Sequence, residues 1–148
     1  MSTLRTATMV LALAFSSGLA CTPPMSTDMA IAELRNPNPN MRQGAADRLR
    51  GDKGVPDEAI QPLVEAAAKE QDPAAKGAMM ITLGRSGKPE VKDLVEQYVQ
   101  TAKGKDERRW ASRALKYWMI EKGSLAPNES LPDGWPYGTQ GYPPIEKE

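Results

Sequence analysis

The feature that most limits what this chain can fold into is that it repeats itself. The segment from Asn38, "NPNMRQGAADRLR", lines up with "DPAAKGAMMITLG" from Asp72, so that Pro39 falls on Pro73, Arg42 on Lys76 and Leu49 on Leu83. A third copy, "DERRWASRALKYW" from Asp106, places Arg108 under Lys76 and Leu115 under Leu83. Between the copies, "EAIQPLVEA" from Glu58 sits over "PEVKDLVEQ" from Pro89, with Ile60 on Val91, Leu63 on Leu94, Val64 on Val95 and Glu65 on Glu96. Units of this length cannot bury an apolar face alone. They are stable when stacked, each layer covering the next.

Each unit reads as a pair of helices. In the first helix of each pair, Ala45, Ala46 and Leu49 correspond to Met79, Met80 and Leu83, then to Ala111, Ser112 and Leu115. In the second, Val91, Leu94, Val95, Tyr98 and Ala102 recur at helical spacing and make one apolar face. Asp72 and Pro73 suit an N-cap and first turn, and Pro56 and Pro89 can open the two second helices. Gly84 and Gly87 flank the turn between the pair. Pro62 removes a backbone bond inside its helix, so a kink is expected there unless the helix starts late. "MAIAELRNPNP" from Met29 looks like the end of one earlier helix. The count is six helices.

"DPAAKGAMMITLGRSG" followed by "PEVKDLVE" resembles the HEAT repeat, in particular the short bacterial type found in phycobilisome-lyase-like proteins. The likeness covers about residues 26–122. It implies an all-α fold, a short right-handed α-solenoid of about six helices, ending in an irregular C-terminal tail. Domains of this kind are mostly protein-binding scaffolds, and some sit within enzymes such as the bilin lyases.

Composition narrows the chemistry. Nineteen Lys and Arg balance nineteen Asp and Glu, which argues against general nucleic-acid binding, a task that calls for a basic excess. There is no His, and there is one Cys. The commonest general base and metal ligand is therefore missing, and no Cys cluster can form. Aromatic residues are 5% of the chain, so the core rests on Ala, Leu, Val, Ile and Met. "GDKG" at 51–54 is too short for a phosphate loop and lacks a strand before it. The carboxylate pairs Asp57/Glu58 and Asp106/Glu107 lie at helix starts, where they complement the macrodipole. The expectation is a chain that is not an enzyme and needs no cofactor or metal.

The first twenty residues read as an address. Arg5 precedes the apolar run "ATMVLALAF" at 7–15, which is followed by small residues leading to Cys21. This is the layout of a secretory signal peptide, and the run is too short to span a bilayer. "GLAC" at 18–21 resembles a bacterial lipobox, with Leu19 two residues before the cysteine where that motif usually has it three before. The resemblance implies cleavage before Cys21 and attachment of a diacylglycerol to it, anchoring the protein in the cell envelope. Thr22 in place of Asp implies the outer membrane rather than the inner one, the domain facing the periplasm or the exterior. Ordinary cleavage, leaving a soluble protein with a free thiol, is the alternative. Residues 21–25, with Pro23 and Pro24, form an extended tether.

The domain organisation is thus 1–20 signal, 21–25 tether, 26–122 helical repeats and 123–148 tail. The tail carries five Pro and a net charge of −3. It is either disordered or an irregular strap that folds back over the last helix, at least from Leu125 to Tyr137. The expected partner is another envelope protein, and two surfaces are candidates for it. One is the outward face of the second helices, with Gln61, Glu65 and Lys69 matched by Lys92, Glu96 and Gln100 in adjacent rows. The other is the last helix, where Ala111, Ala114, Leu115 and Trp118 should point inward. There Trp110 and Tyr117 lie beside a basic stripe of Arg109, Arg113 and Lys116. The alternatives to a docking scaffold are an accessory or lyase-like protein acting with an enzyme, and a purely structural lipoprotein.

Overall fold

A computed structural model describes residues 26–129 and 131. Cys21 and its tether, the signal segment, and the tail from Pro132 onward lie outside the described residues. Among the described residues six α-helices follow one another: α1 (Thr27–Glu33), α2 (Pro39–Leu49), α3 (Asp57–Lys69), α4 (Pro73–Ser86), α5 (Lys92–Thr101) and α6 (Gly104–Glu121). A 3-10 turn at Pro89–Val91 leads into α5. The described part is an all-α stack of helical hairpins, with α2, α4 and α6 as the first helices and α1, α3 and α5 as the second.

Local chemistry sets the helix starts. The side chain of Asn38 accepts from the Asn40 amide at 3.0 Å ahead of Pro39, and Asp72 accepts from the Ala75 amide at 2.9 Å ahead of Pro73. In both, proline takes a position whose N–H has no helical partner. Pro56 stands just before α3, and Pro89 opens the 3-10 turn rather than α5 itself. Helix α3 does not start late. It begins at Asp57 and continues through Pro62 to Lys69 as one helix. The carbonyl of Glu58 loses the N–H it would have had from residue 62, but Glu58 is exposed and water can replace that donor. Gly87, with φ of 59°, ends α4, and its N–H reaches the Gly84 carbonyl at 3.1 Å.

Helix α4 is the axis of the molecule. Ala75 and every residue from Gly77 to Gly84 are buried, because α2, α3, α5 and α6 all pack on it. A helix apolar all round is what a central position requires. Against α6, the approach is close. A Cβ on Gly77 would lie 2.6 Å from the ring of Trp110, and one on Gly84 would lie 2.2 Å from the Ala114 carbonyl oxygen. Residues 77 and 84 are two turns apart and share a face. Since Gly77 meets Trp110, Gly84 meets Ala114 and Gly87 meets Glu121, the two helices run parallel, as corresponding helices of stacked hairpins do. Against α2, the Thr82 hydroxyl lies 2.9 Å from the Ala46 carbonyl oxygen and 3.0 Å from that of Ala78.

Most residues expected inward are inward. Ala45, Ala46, Leu49, Met79, Met80, Leu83, Ala111, Ser112, Ala114 and Leu115 are buried. Leu94 is a correction. It is half-buried at the edge of the core with Ala102, and Val99 joins Val91, Val95 and Tyr98 on the buried face of α5. Trp118 is half-buried, and its Nε1 donates to the Lys88 carbonyl at 3.0 Å. Beyond α6 the chain reverses at Gly123, with φ of 70°. Leu125 and Leu131 are then 8% and 2% exposed and belong to the same core as the helices. The first part of the expected strap therefore packs on the fold. Its continuation to Tyr137 lies outside the described residues.

Candidate docking surface

A cleft of about 380 Å³ opens between α1 and α3. Its apolar lining is Ile31 and Leu34 from α1 and its cap, with Pro62 and Ala66 from α3. Leu34 is buried and the other three are half-buried. Arg35, Glu65 and Lys69 stand exposed around it. The geometry follows from the repeat. Among the described residues helix α1 is a second helix with no first helix before it, and at seven residues it covers only part of α3 and leaves an apolar slot beside it.

One wall of the cleft is a charged clasp. Arg42 donates from Nε to Glu70 Oε2 at 2.6 Å and from Nη2 to Glu70 Oε1 at 2.7 Å, a two-pronged pair. Its Nη1 donates to the carbonyls of Asn36 and Pro37 at 2.8 and 3.0 Å. Glu70 Oε1 also accepts the amides of Gln71 and Asp72, each at 2.9 Å. The Glu70 side chain is 3% exposed, so nearly every bond it makes is to protein. The Arg42 guanidinium, with help from the two amides, holds the Glu70 carboxyl below the usual carboxylate range against the opposing effect of burial. Glu70 in turn raises Arg42. The clasp ties the α1–α2 loop to the α3–α4 loop, and so fixes the depth of the cleft.

The candidate residues fall into two groups. Gln61, Glu65 and Lys69 are all exposed on α3, where the Gln61 amide donates to Glu65 at 3.2 Å. Glu65 and Lys69 line the cleft, while Gln61 is not among the lining residues. On α5, Lys92 and Gln100 are exposed and Glu96 is half-buried, with Lys92 paired to Glu96 at 3.0 Å. Each of these bonds lies within one helix, and α3 and α5 both rest on α4. On α6, Arg109 and Arg113 are exposed, while Lys116 is half-buried. Trp110 is half-buried and lies over Gly77. Tyr117 is also half-buried, with the Arg85 guanidinium 5.1 Å from its ring centre. Both aromatic rings thus serve the packing of α6 and keep only part of their surface for anything else.

Two elements of the site were not anticipated from sequence. Glu70 stands 28 residues from Arg42 in a connecting segment, where helical periodicity carries no signal. Ile31 and Leu34 gain meaning only once α1 is seen to stop short. A clue to the clasp did exist, because Arg42 is the first of three basic residues at one repeat position, with Lys76 and Arg108.

The family model that describes HEAT repeats matches residues 27–116. No curated protein and no solved structure matches the chain.

Proposed function

We propose that this chain, which belongs to the HEAT-repeat family, is a protein-docking scaffold held at a bacterial envelope membrane by a lipid on Cys21. HEAT repeats commonly mediate contacts between proteins. The observation that carries the docking reading is the α1–α3 cleft, where half-buried Ile31, Pro62 and Ala66 lie open beside the charged side chains of Arg35, Glu65 and Lys69. An apolar floor with a polar rim is the make-up of a protein-binding patch. The anchor rests on the sequence: the apolar run at 7–15, the small residues after it and the single Cys placed at the cleavage point. Outer-membrane placement rests on Thr22. The partner is another envelope protein.

Crosslinking in intact envelopes tests the scaffold reading. A photo-crosslinker at residue 65 or 69 should trap one dominant protein, and Ala66→Trp, which fills the cleft, should abolish the adduct. Adducts that are diffuse, or indifferent to Ala66→Trp, count against the cleft. The anchor is tested separately. Cys21→Ser should end acyl labelling and move the protein to the soluble fraction, and continued acyl labelling of that variant would refute lipidation at Cys21.

A further inference from the structure

Five charged side chains line the α1–α3 cleft: Arg35, Arg42 and Lys69 against Glu65 and Glu70. They are not equally open to a ligand. Arg42 and Glu70 hold each other, Nη1 of Arg42 also donates to two backbone carbonyls, and Oε1 of Glu70 also accepts two backbone amides. The Glu70 side chain is 3% exposed, so a cationic group entering the cleft cannot reach its carboxylate. Glu65 is exposed but already accepts from the Gln61 amide. Lys69 follows Glu65 by four residues, the spacing and order at which Glu and Lys pair best on a helix. That pair does not form. Among the described residues the side chains of Arg35 and Lys69 have neither a hydrogen bond nor an ion pair, and both are exposed. The charges left for a ligand to meet are thus mainly positive.

The two open cations occupy one repeat position. Arg35 follows the C-cap of α1 and Lys69 closes α3, with the same offset, 69 − 35 = 34, that carries Pro39 onto Pro73. Since α1 and α3 are corresponding helices of the stack, both cations stand at the C-terminal end of the cleft, one on each wall. A cation there complements the helix dipole, which accounts for its sign but leaves its N–H donors unfilled. Beside them the floor of Ile31, Leu34, Pro62 and Ala66 is aliphatic, and among the described residues no aromatic side chain lines the cleft. A volume of about 380 Å³ is at the small end of ligand pockets, which span ~300–1,000 Å³, so it suits side chains and not a whole helix. We propose that the cleft binds an anionic, aliphatic segment of the partner protein. A Leu, Ile or Met side chain seats on Ile31, Pro62 and Ala66, while a carboxylate beside it in the partner's chain is held between Arg35 and Lys69. The Arg fork can take both oxygens of a carboxylate at once, and Lys adds a point charge. An Asp or Glu side chain and a chain terminus supply the same two oxygens. This inference rests on the docking reading of the cleft and is independent of the lipid on Cys21.

Peptide titration of the full chain, followed by NMR at the amides of Ile31, Arg35, Ala66 and Lys69, tests the charge preference. The probes are two dodecapeptides with the same leucines on one helical face, one carrying glutamates and the other lysines between them. The glutamate peptide should shift those amides and bind about tenfold tighter than the lysine peptide, the scale set by two exposed ion pairs. Arg35→Glu with Lys69→Glu should reverse that order, Arg35→Lys with Lys69→Arg should keep it, and Ala66→Trp should abolish binding of both peptides. Both cationic positions are exposed, and the amide shifts of α4 report whether each variant is folded. Loss of binding when the glutamates become glutamines assigns a side-chain carboxylate, and loss on amidating the peptide's C-terminus assigns a chain terminus. Binding that survives both changes together would overturn the proposal. Equal binding of the glutamate and lysine peptides, lost on Ala66→Trp, would also overturn it while leaving the docking reading intact. Cleft amides that respond to neither peptide would overturn both.

Discussion

Helix α4 meets its two parallel neighbours by different means. Toward α2 the join is chemical and adjustable. Thr82 donates its hydroxyl to the Ala46 carbonyl, and Arg42 of α2 clasps Glu70 in the α3–α4 loop. Toward α6 the join is steric. Gly77 and Gly84 let a Trp ring and a backbone carbonyl come where a side chain would stand. The two interfaces thus draw on different positions of α4. Gly44 of α2 and Ala78 of α4 share one position, yet the residues that matter for contact with α6 sit one place before it and six places after. A repeat sets the stacking, and the neighbours decide what holds each layer.

The sharpest way to break that contrast is one substitution made in both helices. A Gly→Ala change inside a helix ordinarily stabilises by about 1 kcal/mol through backbone entropy. Gly44 follows this rule, because its Cβ would meet only the end of Arg48, at 3.7 Å. Gly44→Ala should therefore stabilise by about 0.5–1 kcal/mol. Gly84→Ala should instead destabilise by roughly 3 kcal/mol or more, since the obstacle is the Ala114 carbonyl and the two helices must part. Urea unfolding of both variants decides it. Equal effects would mean that the α4–α6 contact is looser than the structure has it.

A second pair of variants sharpens the comparison at the junctions. The α3–α4 junction holds Glu70, but the α5–α6 connection is only Ala102 and Lys103, with no carboxylate to clasp Lys76. Arg42→Met should cost about 3 kcal/mol, because it leaves the Glu70 carboxylate buried without its cation. Lys76→Met should change stability by less than about 0.5 kcal/mol, the range of ordinary surface positions. Acid provides a further check. The Glu70 carboxyl is lower in the folded state than its ordinary value of 4.5. Its contribution is therefore complete above that value, and it is lost as pH falls through the lower folded value. Glu70→Gln should flatten the acid limb of the stability curve in that window. An unchanged limb would place the acid-sensitive group elsewhere.

These contrasts mark what could be read from the sequence. The six helices were visible because the repeat places apolar residues at helical spacing, and Pro with Asn or Asp marks two of the starts. The centrality of α4 was visible in principle, since "GAMMITLG" at 77–84 is almost wholly apolar, but reading one inward face from the repeat hid it. Leu94 was misplaced for a related reason. Matching it to Leu63 assumed equal cover on α3 and α5, whereas α5 lies near the end of the stack and leaves that residue half-exposed. Only the Arg42 half of the clasp left a trace, in its repeat position, since Glu70 sits outside any helix. Of the surface candidates, Glu65 and Lys69 were legible as an outward row, but the cleft beneath them depends on how short α1 is.

The smallest effects come from two buried hydroxyls. Thr82 is fully buried and has two carbonyls within reach, so Thr82→Val should cost about 1 kcal/mol, one net hydrogen bond. Ser112 is 2% exposed, and among the described residues its Oγ has no hydrogen-bond partner. It occupies the repeat position of Ala46 and Met80, where an apolar residue fits. A buried hydroxyl without a partner raises the energy of the folded state, and Ala is also the better helix former. Ser112→Ala should therefore stabilise by about 0.5–1 kcal/mol, opposite in sign to Thr82→Val. The two variants differ by little in volume from their parents, so cavity effects do not obscure the sign. A loss on Ser112→Ala of more than about 0.5 kcal/mol would mean that the hydroxyl does find an acceptor, as a helical serine can in the carbonyl one turn back.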